Sequence, residues 1–78
     1  MNERWSYSVV KEFQHTPELG QYLTYALQAS RKTNQGWEAV ATVHDISSEF
    51  PFVQAMAERF NRHQLSPLHL HDAIEDSL

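Results

Sequence analysis

Apolar and polar positions alternate along the first half of the chain, then give way to a three-and-four spacing shortly after residue 46. From Arg4, the run RWSYSVVKEF places Trp5, Tyr7, Val9 and Phe13 on one side and Ser6, Ser8, Val10 and Glu12 on the other. A period of two is the signature of a half-buried strand, because successive side chains leave a sheet on opposite faces. Thr16-Pro17 and Gly20 then punctuate a turn. YLTYALQAS alternates again, with Leu23, Tyr25, Leu27 and Ala29 against Tyr22, Thr24, Ala26, Gln28 and Ser30. RKTNQG reads as a polar hairpin loop ending in a glycine, the residue freest to take positive φ. In the third run, WEAVATVHDI, the alternation sets Trp37, Ala39, Ala41 and Val43 against Glu38, Val40, Thr42 and His44.

The later spacing is helical. Phe50, Val53, Ala57 and Phe60 follow one another at three and four residues, with Met56 on the same side. Ser47 or Ser48 is the expected cap, and Pro51 falls in the first turn, where a missing N–H costs no intrahelical bond. Glu58, Arg59, Arg62 and Gln64 then face water. Ser66-Pro67 restarts a helix running to the end of the chain, with Leu70, Ala73, Ile74 and Leu78 as its buried stripe.

The expected fold is α+β over one domain, residues 1–78: a three-stranded antiparallel meander followed by two helices, in the order β-β-β-α-α. Two short helices cover one face of such a sheet. The Tyr7/Val9, Tyr25/Leu27 and Ala41/Val43 side is the one apolar enough to receive them. Ser8, Val10, Thr24, Ala26, Gln28, Val40, Thr42 and His44 are left on the outer face, which is small, uncharged at its centre and moderately apolar. Such a surface suits contact with another chain or a ligand, although antiparallel sheets also tolerate one solvated face.

Composition narrows the classes. A chain of 78 residues buries only about 60% of its unfolded surface, and without cysteine it has neither disulfides nor a thiolate metal site. The hydrophobic fraction of 41% is ample for a packed core. The net charge of −4, with six scattered bases, speaks against nucleic-acid binding. No apolar run is long enough to span a membrane, and MNERWSYS lacks the pattern of a secretory leader, so a cytoplasmic setting is expected.

The residues that could carry chemistry are His69, His71 and Asp72 in HLHD, and His44 with Asp45. Residues two apart on a helix point roughly 200° apart, so His69 and His71 cannot share a metal there. His69 with Asp72, and His71 with Glu75, are ordinary helix-surface pairs, and no metal ligand set is expected. Asp45 reads as a turn residue ahead of the helix. Two glycines, Gly20 and Gly36, do not make a phosphate-cradling loop, and Ser47 has no nucleophile elbow around it.

The second half of the chain resembles a family of short proteins of no assigned function from clostridia-like Gram-positive bacteria. The resemblance rests on Asp45, Ile46, Ser47, Phe60, Asn61, Leu65, Ser66, Pro67, His69, Leu70, Asp72, Glu75 and Asp76. It implies the same fold and a bacterial or phage-like source, and it supplies no activity, cofactor or site.

The expectation is therefore a small non-enzymatic interaction or regulatory module without a cofactor. It would meet a protein partner, or a second copy of itself, through Val10, Thr24, Ala26, Val40, Thr42 and His44, with His69 and Asp72 as a second contact. Two alternatives stand beside it. One is a phage-type inhibitor of a host defence protein. The other is a small enzyme or metal-dependent site around His44, His69 and Asp72, for which those three would have to converge.

Overall fold

Long strands and a shorter helix set the shape. In a computed structural model, which describes residues 4–78 and so omits the first three positions read for a leader, β1 covers Trp5–Thr16, β2 Gly20–Thr33 and β3 Gly36–Ser47. They form one antiparallel sheet in the order β1-β2-β3. Helix α1 covers Phe50–His63, a single 3-10 turn covers Pro67–His69, and helix α2 covers Leu70–Ser77. The β-β-β-α-α order and the α+β class are those the patterning predicts. No helix among the described residues is long and apolar enough to cross a membrane.

Both hairpins turn on local chemistry. At the first, the Thr16 hydroxyl accepts from the Leu19 N–H at 3.0 Å, and Gly20 takes φ 68°. At the second, Thr33 Oγ1 accepts from Gln35 N and donates to Gly36 O, with Gly36 at φ 122°. The strand therefore runs on through Arg31, Lys32 and Thr33, and the expected loop shrinks to Asn34-Gln35.

The core lies where the alternation and the helical spacing agree. Tyr7, Leu27 and Ala29 of the sheet pack against Val53, Met56, Ala57 and Phe60 of α1 and Leu70 and Ile74 of α2, all at most 4% exposed. Tyr7 and Phe60 meet edge to face with centroids 5.5 Å apart, a favoured aromatic geometry. α1 begins after Glu49, which makes no side-chain cap; Ser47 Oγ instead accepts from Glu49 N at 3.0 Å. It ends at Gln64 in the left-handed region, with Leu65 N bonded to Phe60 O at 3.0 Å. Ser66 accepts from Leu68 N, as its cap reading predicts, but α2 proper starts three residues after Pro67. Leu78 follows the last helical residue and is 73% exposed, so it leaves the buried stripe.

Two irregularities in β3 change which residues share a face. Ala29 pairs with Ala41 but Ser30 pairs with Ala39, so Val40 is an extra residue. The bulge reverses the alternation before it. Trp37 and Ala39 sit opposite Lys32 and Ser30, on the outer side, and not with Ala41 and Val43. The Lys32 ammonium stands 5.4 Å from the Trp37 ring centre accordingly. Leu27 pairs with Val43 and Tyr25 with Ser47, so His44, Asp45 and Ile46 face a single residue of β2. Asp45 takes φ 53° there, and Ile46 returns to the core side.

Candidate functional site

Three features of this fold bear on function: a polar chain on the outer face, the exposed end of the first hairpin, and the edge of β1.

The polar chain begins at Glu12, which sits opposite Thr24 in the β1–β2 register. Its carboxylate crosses the central strand to reach β3. Oε2 lies 2.6 Å from His44 Nδ1, and Oε1 accepts from the Asp45 N–H at 3.4 Å. Asp45 Oδ2 in turn accepts from the Tyr22 hydroxyl at 2.9 Å. The hydrogen bond to Asp45 raises the Tyr22 pKa above its usual value, because it favours the protonated phenol. The Glu12 side chain is 18% exposed and the His44 ring 62%. These four side chains fasten the bulge of β3 across β2 onto β1. The third strand is thus tied to both β1 and β2 at the point where its ladder breaks.

This clasp explains why two predicted surface residues are not on the surface. Thr24 and Ala26 are 1% and 0% exposed. Both are small residues of the central strand, walled in by Val10 and Glu12 on one side and the His44–Ile46 bulge on the other. Thr24 Oγ1 also donates to Ser47 O at 3.2 Å. Val10 and Thr42 are half-buried, with Gln28 Nε2 3.4 Å from Thr42 Oγ1. Val40 and His44 are exposed, as are His69 and Asp72 on the other side of the molecule. His44 is engaged by Glu12 on the outer face, while Leu70 and Ile74 dock α2 on the inner one. His44, His69 and Asp72 therefore do not converge. Among the described residues no three His, Asp or Glu side chains are grouped to hold a metal ion.

The second feature follows from length. β2, at 14 residues, spans roughly 46 Å at 3.3 Å per residue, and α1, also 14 residues, roughly 21 Å at 1.5 Å per residue. One helix of that length covers about half of the inner face. α1 starts beside Tyr25, whose ring meets Phe50 edge to face at 5.4 Å, and ends beside Trp5. The rest of the β1–β2 hairpin projects beyond it as an arm, and the molecule is 49 Å long but 27 by 19 Å across. Phe13 lies on the inner side of that arm, opposite Leu23, and is 63% exposed. Phe50 is 45% exposed at the arm's base and Leu19 71% at its tip. The alternation places Phe13 in the core; helix length leaves it out.

The third feature is the outer edge of β1. Lys32 N donates to Arg4 O at 3.0 Å, which fixes the parity: even residues of β1 bond to β2 and odd residues point their amides away from the sheet. Asn61 Oδ1 accepts from Tyr7 N at 2.6 Å and Nδ2 donates to Tyr7 O at 2.9 Å. Gln64 treats Trp5 the same way, at 2.9 and 3.0 Å. The Tyr7 hydroxyl donates to Leu65 O at 2.6 Å, and burial pushes its pKa up to about 12. The segment Phe60, Asn61, Leu65, Ser66 and Pro67, which carries much of the sequence resemblance, is thus the part that joins α1 to β1 and starts α2. Glu12, Tyr22 and Gln64 are missed by sequence reasoning. A long-range bond through a bulge leaves no local pattern, and Gln64 looks like any polar residue at a helix end.

No curated protein and no solved structure matches the chain. A family match does exist, and it takes in the strands as well as the helical half that carries the resemblance. Over its full length, residues 1–78, the chain belongs to the Family of unknown function (DUF6514).

Proposed function

We propose that the protein is a non-enzymatic protein-binding module that meets its partner with the uncovered inner side of the arm. The observation that carries this is Phe13, 63% exposed on the face that elsewhere forms the core, next to the partly exposed Phe50. Leu23 and Tyr25 lie between them on the same face, so the apolar surface is continuous. Adjoining exposed apolar groups mark contact surfaces far more often than scattered ones. The net charge of −4 and the lack of a basic cluster favour a protein over a nucleic acid. The test is affinity capture with the wild-type chain beside Phe13→Glu, both shown to be folded by circular dichroism. A binder retained by the wild type and lost with Phe13→Glu supports the reading. Identical captures by the two chains contradict it.

A second reading, self-association through the outer face, draws on Trp37, Ala39 and Val40, which the bulge leaves exposed side by side. It predicts a dimer that Val40→Glu dissociates and Phe13→Glu does not.

A further inference from the structure

The carboxamides of Asn61 and Gln64 do for β1 what a neighbouring strand would do. In an antiparallel ladder each outward-facing residue gives one N–H and receives one on its carbonyl. Tyr7 has both bonds from Asn61, and Trp5 has both from Gln64. Among the described residues no hydrogen bond reaches the outward amides of Val9, Lys11, Phe13 and His15. β1 carries no bulge to spoil its edge. β3, the other edge, is bulged twice and carries Asp45 with positive φ, which makes it a poor template for a further strand. The straight edge is the one with side-chain amides on it.

What those amides block follows from charge. Two copies of β1 can pair only antiparallel about a twofold axis if the pair is to close. Centred on Lys11, the register sets Lys11 against Lys11; centred on Glu12, it sets Glu12 against Glu12. Like charges directly opposite destabilise a sheet. Centred on Phe13, the overlap shrinks to Val10–Thr16 and puts Lys11 beside His15. Centred on Val10, the overlap takes in nearly all of β1. Val10 then faces Val10, Ser8 faces Glu12 and Tyr7 faces Phe13 of the second copy, with no like charges opposed. That register needs the outward amides of Trp5 and Tyr7, the two residues already bonded.

We infer that Asn61 and Gln64 form a guard that keeps β1 from pairing with β1 of a second copy in the register centred on Val10. The chain without the guard is a strand-paired dimer, and the chain with it does not join through this edge.

The test uses cysteine, which the chain lacks. Val10→Cys is placed in the native background and in the Asn61→Ala/Gln64→Gly background. Alanine suits a helix interior and glycine the left-handed Gln64 position, so both changes remove the amides with little cost to α1. In the proposed register the two residue-10 positions form a non-hydrogen-bonded pair about 4.5 Å apart, within disulfide reach. Oxidation is expected to give a covalent dimer in the unguarded background alone, and Gln14→Cys, which faces Ser6 of the second copy in that register and leaves the Glu12 charge in place, none in either. A folded unguarded chain that does not cross-link overturns the inference, and so do equal yields in both backgrounds. If the double variant does not fold, Asn61→Ala alone carries the test, because it frees Tyr7 to pair with Phe13 and leaves Gln64 blocking only the terminal Trp5–His15 pair of the register. Loss of the fold there as well makes the amides a foundation of the fold and also overturns the guard.

Discussion

Tyr7 and Phe13 stand six residues apart on the same face of the same strand, and their fates are opposite. Tyr7 is 3% exposed; Phe13 is 63% exposed. Around Tyr7 the ring meets Phe60, the hydroxyl reaches Leu65 O, and the backbone is taken up by Asn61. Around Phe13 there is Leu23 across the ladder and no helix above. The strand pattern is the same at both. The difference is the reach of α1, which is half as long as the sheet it lies on. Alternation decides which side of a sheet a residue faces, and the covering layer decides whether that side is inside. Here it divides one strand into a half that builds the core and a half left uncovered.

The comparison can be broken most directly by truncation. Tyr7→Ala is expected to cost about 3–5 kcal/mol in urea unfolding, the usual range for a buried aromatic. Phe13→Ala is expected to cost within about 0.5 kcal/mol, as for an exposed position. Equal costs would mean that the arm is packed. Asn61→Ala comes next, at about 1–3 kcal/mol, because it strands the amide and the carbonyl of Tyr7.

Alkaline titration sharpens the same contrast. The Tyr7 hydroxyl ionises at about 12 when folded against 10.0 ordinarily. Between those values the unfolded chain has lost the proton and the folded chain has kept it, so stability falls as pH rises through that window. Below pH 10 the contribution is complete. Tyr7→Phe should flatten this part of the pH dependence, measured as urea midpoints from pH 9 upward. The smallest effect is expected at the outer face. Glu12→Gln weakens the pairing with the mostly exposed His44 ring and should cost less than about 1 kcal/mol.

Much of this was legible in the sequence, and what was not has definite causes. Tyr7, Leu27, Val53, Phe60, Leu70 and Ile74 are core by spacing alone and core in the structure. The alternation puts Trp37 on the inner side, the extra residue at Val40 turns it outward, and nothing about a valine between two alanines announces a bulge. Thr24 and Ala26 lie on the predicted face but are covered by their larger neighbours across the ladder, a relation that needs the register. The free arm follows from lengths that only the structure supplies, since the alternation ends the second strand at Ser30 and the ladder carries it from Gly20 to Thr33. Strands of 12 and 14 residues outrun a 14-residue helix. The side-chain amides along the β1 edge leave no trace in the sequence, since their place depends on where α1 ends in space and not on any local preference of Asn61 or Gln64.

Amide hydrogen exchange along β1 tests the division of the strand most directly, because the odd-numbered amides report the outer edge one residue at a time. Slow exchange at Trp5 and Tyr7 with fast exchange at Val9, Lys11, Phe13 and His15 is the expected result. Uniform protection along the edge, or fast exchange at Trp5 and Tyr7 as well, would contradict the account.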